Sequence, residues 1–137
     1  MKFKVYDLNT INQAKAELGF NPNSLNLTVF LGPGNTAAMI SYLTMFARDY
    51  YNLSFEQNGL LLIKRSKATN KLIKEDYTFI PNEEIQSIQF KSGLLMHRLF
   101  VTDRSGKRTI FRTSRFWLGI PWQAQSVKQV ADSYGRQ

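Results

Sequence analysis

The chain has 137 residues, no cysteine, a single histidine and a formal charge of +8, from 18 Lys and Arg against 10 Asp and Glu. That length suits one domain that buries its core without staples, and the missing cysteines exclude a disulfide framework, a thiolate zinc site and a cysteine nucleophile. The opening MKFKVYDLN has no apolar core followed by a small-residue cleavage site, so no signal peptide is expected and the cytoplasm is the default location.

Thr10-Ile-Asn-Gln13 has the form of a capping box, with Ile11, Ala14 and Leu18 on one face and Gly19 placed to take a left-handed end position. This predicts a helix over residues 11–18. Asn21 to Ser24 reads as a turn and the alternating Leu25 to Leu31 as a strand. Gly32-Pro33-Gly34 lacks the Gly-Lys-Ser/Thr ending of a P-loop and is read as a chain break. After Asn35, the three- and four-residue recurrence of Met39, Tyr42, Leu43, Phe46 and Tyr50 predicts a helix that packs on something. Its apolar stretch, Ala37 to Ala47, is far shorter than the roughly 20 residues needed to span a bilayer.

From Asn52 the period changes to two. LSFEQ, a hairpin turn at Asn58-Gly59, LLLIKR, the loop SKATNK and LIKEDYTFI come first. Further strands follow Pro81-Asn-Glu-Glu84, Ser92-Gly93 and the turn Asp103-Arg-Ser-Gly106. Pro121 then opens a last helix, with Trp122, Val127, Val130, Ala131 and Tyr134 on one stripe and Gln123, Lys128, Gln129 and Asp132 off it. A small antiparallel sheet cannot bury its faces alone, so the stripe is expected to plug it, with Trp122 closing an open corner. The expected class is mainly β with helices (α+β), in one domain over 1–137. Helical elements fall near 10–50, and the sheet with its capping helix near 52–134.

Several segments together resemble a known family. They are GLLLIKR, Ile80-Pro81-Asn82-Glu83-Glu84-Ile85-Gln86-Ser87-Ile88, Lys91-Ser92-Gly93-Leu94-Leu95, Ser105-Gly106-Lys107 and Gly119-Ile120-Pro121-Trp122-Gln123. In this order they are similar to the uncharacterised pleckstrin-homology-like (PH-like) proteins of Gram-positive bacteria and, more distantly, to eukaryotic GRAM and PH domains. The resemblance covers roughly residues 50–134 and implies a bent antiparallel sheet or partly open barrel of about seven strands capped by a C-terminal helix, without catalytic activity. In lipid-binding PH domains, basic residues at the ends of an early hairpin grip headgroup phosphates. By that analogy Lys64, Arg65, Lys67, Lys71 and Lys74 are the candidate ligand-binding residues. A bacterial headgroup would be a simple anionic lipid, and binding would be salt-sensitive because no hydrophobic anchor accompanies the hairpin.

Catalytic chemistry is sparse. His97 is alone in a strand, and the adjacent carboxylates Glu75-Asp76 and Glu83-Glu84 point to opposite faces wherever the chain is extended. The chain is therefore expected not to be an enzyme and to need no metal or cofactor. Charge is the stronger signal: between Lys91 and Arg115 stand seven basic residues and one acidic residue, Asp103. Arg104, Lys107, Arg108, Arg112 and Arg115 form a second basic surface, near Phe111, Phe116 and Trp117. A protein-interaction module is the first expectation, peripheral binding to an anionic membrane the second, and nucleic-acid binding by stacking and charge the third.

Overall fold

Period-two patterning folds as seven strands of one antiparallel sheet. The computed structural model describes residues 8–22, 24–30, 50–66, 71–94, 96–117 and 120–135. Along them run α1 (Leu8–Glu17), β1 (Leu25–Phe30), β2 (Tyr50–Glu56), β3 (Gly59–Arg65) and β4 (Leu72–Pro81). A 3-10 turn (Asn82–Glu84) leads to β5 (Ile85–Lys91), β6 (His97–Asp103), β7 (Arg108–Thr113) and α2 (Gln123–Tyr134). The strands are ordered β4-β3-β2-β1-β7-β6-β5. The end strands β4 and β5 do not pair with each other, so the sheet is not closed.

The sheet curls around α2. Leu62 of β3 and Leu99 of β6 share one core cluster with Val127 and Val130 of the helix, while Ala131 and Tyr134 pack at its margin. Each buried valine contributes about 1.5–3 kcal/mol of transfer free energy. The outer face of the β1–β4 half is covered as well, because Ile11 and Ala14 of α1 meet Leu61, Ile63 and Leu72 in a second cluster. This double cover explains the unbroken apolar run Leu60-Leu-Leu-Ile63, in which alternate residues serve opposite clusters.

At the seam between the halves the ladder is thin: among the described residues β1 and β7 share the single register pair Phe30↔Arg112. The side chain of Gln123 fills the gap. Its Oε1 accepts from the Thr28 backbone N–H at 3.0 Å. Its Nε2 donates to the Thr28 carbonyl at 3.0 Å, to Thr113 Oγ1 at 2.7 Å and to the Ser114 carbonyl at 3.0 Å. Gln123 is fully buried, which corrects its expected place on the polar side of the helix. Trp122 is also corrected: it packs in the second cluster with α1 and not on the stripe that plugs the sheet.

Other expectations shift by small steps. Thr10 lies inside α1, not at its cap. Gly19, at φ 87°, takes the left-handed position expected of it. The first hairpin turns at Gln57-Asn58, because Gly59 already pairs with Glu56. Gly59 answers to packing, since a Cβ there would lie 2.2 Å from the Ile80 carbonyl oxygen. The helix expected over 35–50 lies outside the described residues except for Tyr50, which begins β2.

Candidate functional site

The basic hairpin does not gather into one exposed surface. Arg65 is buried at 1 % exposure and donates from Nη2 to Asn52 Oδ1 at 3.2 Å. Lys64 pairs with Asp76 at 3.8 Å, and Lys74 pairs with Glu17 of α1. These contacts follow from a register shift after Ile63, which loops residues 74–76 out of the β3–β4 ladder. Lys71 is exposed at the mouth of a small cleft between α1 and β4, and Lys67 lies outside the described residues. A further cation in this half is internal: Lys15 of α1 is buried and bonds Glu56 at 2.7 Å and Ser54 at 2.8 Å. Burial lowers its pKa despite the carboxylate beside it.

The β5–β7 half is different. Lys91, Arg98 and Arg112 stand opposite one another across three strands. Like charges so placed repel, and among the described residues none of the three has an ion pair. Lys91, Arg98 and Arg108 lie 5.6, 5.6 and 5.0 Å from the centre of the Phe100 ring, which their charges leave only 6 % exposed. At the far turn, Arg104 donates to the Glu83 carbonyl and Asp103 Oδ1 accepts from Ser105 and from the Lys107 N–H, so those residues hold the turn's shape. Of the rings expected near Arg112 and Arg115, Phe111 is fully buried and Trp117 packs edge-on with Phe30 and Tyr50. Phe116 is 80 % exposed.

The cationic row marks one end of this half-sheet. Beyond it lie the β5–β6 connection and the segment that leaves β7, since His97 pairs with Thr113. Leu94 in the first is 99 % exposed, Met96 beside it is 38 % exposed, and Phe116 projects from the second. The connection is tight: a Cβ on Gly93 would meet the Met96 carbonyl oxygen at 2.1 Å. Gly93 N–H donates to His97 Nδ1 at 3.4 Å, and the imidazole stacks on Phe90 with ring centres 5.5 Å apart. Burial, reinforced by the Arg115 charge, lowers the His97 pKa and keeps the ring neutral.

Beneath these loops an open cleft of about 500 Å³ separates the β5–β6 hairpin from α2. Phe90, Val127 and Ala131 supply apolar walls, while Arg115, Lys128 and Asp132 bring charge. Sequence patterning placed Arg115 and Phe116 on the second basic surface but joined them neither to Leu94 nor to this cleft. The available signal was Leu94 and Phe116, two large apolar side chains in connections where the period-two pattern lapses. Among the described residues, no group of three or more metal-ligating side chains forms, and no helix is long and apolar enough to cross a membrane. Comparisons with family models, curated proteins and solved structures find no match for this chain.

Proposed function

We propose that the chain is a non-catalytic binding module of PH-like architecture that docks on anionic membrane surfaces through the end bearing Leu94 and Phe116. The strand order and the C-terminal helix inside the curl support the PH-like reading. The observation that carries the docking reading is two nearly bare apolar side chains, Leu94 and Phe116, beside the exposed cations Lys91, Arg98 and Arg115. Apolar tips with a basic collar suit a surface that is anionic outside and apolar just beneath. Three such cations contribute about 3 kcal/mol and two inserted side chains about 3–6 kcal/mol, before the ordering of loops and loss of free motion are subtracted. That supports reversible attachment and not permanent anchoring.

Co-sedimentation with phosphatidylglycerol–phosphatidylcholine vesicles tests this. Binding should weaken as salt rises, be absent with phosphatidylcholine alone, and fall at least tenfold in the Leu94→Gln/Phe116→Gln double variant. Equal binding by that variant rejects the reading. So does the absence of vesicle binding alongside a protein or nucleic-acid ligand whose capture depends on the same two side chains.

A further inference from the structure

We infer that the cleft between β5–β6 and α2 is a subsite for one phosphodiester monoanion, the headgroup of a single anionic glycerophospholipid. The inference rests on the docking reading, because the cleft opens at the same end. Ser92 and Arg115, which line it, are close in sequence to Leu94 and Phe116. Its size lies within the range of about 300–1,000 Å³ typical of small-molecule sites.

The chemistry of the walls selects the ligand. Arg115, from the segment after β7, and Lys128, from α2, bring two positive charges from different elements, and Asp132 brings one negative charge, leaving a net charge of one. A phosphodiester carries one negative charge and matches that balance, whereas a phosphomonoester dianion leaves one charge unanswered. A guanidinium fork and an ammonium together suit phosphate oxygens. His97 adds a neutral donor: Nδ1 accepts from Gly93, which leaves the ring proton on Nε2. Phe90 and Val127, 4 % and 3 % exposed, give apolar walls for the glycerol carbons.

The test uses the full chain and soluble probes. Glycerophosphoglycerol, the deacylated headgroup, is titrated while backbone amide shifts of Ser92, His97, Gln125 and Lys128 are followed. Inorganic phosphate is titrated in parallel. Saturable shifts confined to the cleft with glycerophosphoglycerol, and at least tenfold weaker binding in Arg115→Gln/Lys128→Gln, support the subsite. Both residues are exposed, so the variant should fold, which its thermal melt verifies. Absence of cleft shifts, or equal binding by the variant, overturns it. Equal affinity for inorganic phosphate overturns the lipid assignment in favour of free phosphate. Leu94→Gln/Phe116→Gln should bind glycerophosphoglycerol normally while losing vesicles. If that variant keeps vesicles while the cleft still binds the headgroup, docking fails and the subsite stands.

Discussion

The two halves of the sheet treat charge in opposite ways. In the β1–β4 half both faces are covered, and the cations Lys15, Lys64 and Lys74 each meet a carboxylate. In the β5–β7 half, among the described residues, α2 packs the inner face, and Lys91, Arg98 and Arg112 line the other with like charge opposite like charge. A cation that is matched within the fold is committed to stability. One that is held against its neighbours costs stability and remains available to a partner. The contrast teaches that total charge, +8 here, is a poor guide to a binding surface until its pairing is known.

The largest effect should break the paired half. Lys15→Met leaves the Glu56 carboxylate, 3 % exposed, with the Ser54 hydroxyl but without its cation, and should lower unfolding free energy by about 3–5 kcal/mol in urea denaturation. A loss below about 1 kcal/mol would show that the pair adds nothing to the first half.

The seam comes next. Gln123→Ala strands the Thr28 N–H, while the Thr28 carbonyl keeps the Thr113 hydroxyl at 2.7 Å, and should cost about 1–3 kcal/mol for the donor left unsatisfied. Amide exchange at Thr28 should quicken more than at Leu62, deep in the first half. Uniform acceleration would mean that Gln123 supports the whole sheet and not the junction.

A smaller, pH-linked effect belongs to the second half. His97 has its pKa lowered by burial and by Arg115, so on acidification the unfolded chain takes up a proton before the folded one does. Stability from this group is complete above the ordinary value of 6.5 and declines as pH falls from there toward the lowered folded value. His97→Gln should flatten that slope in denaturant titrations between about pH 8 and about pH 5. An unchanged slope would assign it to carboxylates instead.

The smallest expected change sharpens the comparison most. Lys91→Gln and Arg98→Gln relieve repulsion on an exposed face and should alter stability by less than about 0.5 kcal/mol. Both should flatten the salt dependence of vesicle binding. Lys71→Glu, on the hairpin expected from sequence to bind phosphate, should leave vesicle binding unchanged. A loss of binding in Lys71→Glu alone would return the site to that hairpin.

The chain's own pattern determined a great deal. Period-two runs marked the strands from Asn52 on, Asp103-Arg-Ser-Gly106 marked a turn that the structure places there, and Val127 and Val130 marked the face of α2 that enters the core. These signals are local, because the direction of a side chain follows from the dihedral angles of its own segment. What tertiary structure decided is how surfaces meet. Gln123 reads as a polar surface residue in its helix, yet a gap between β1 and β7 makes it the most hydrogen-bonded side chain of the seam. Arg65 reads as a hairpin cation, yet it is buried on the half that α1 covers. Leu94 and Phe116, 22 positions apart in the chain, become one end of the molecule only through the pairing of β5, β6 and β7. Sequence sets which way each residue points along its element, while the long-range register sets what it points at, and no local rule contains that register.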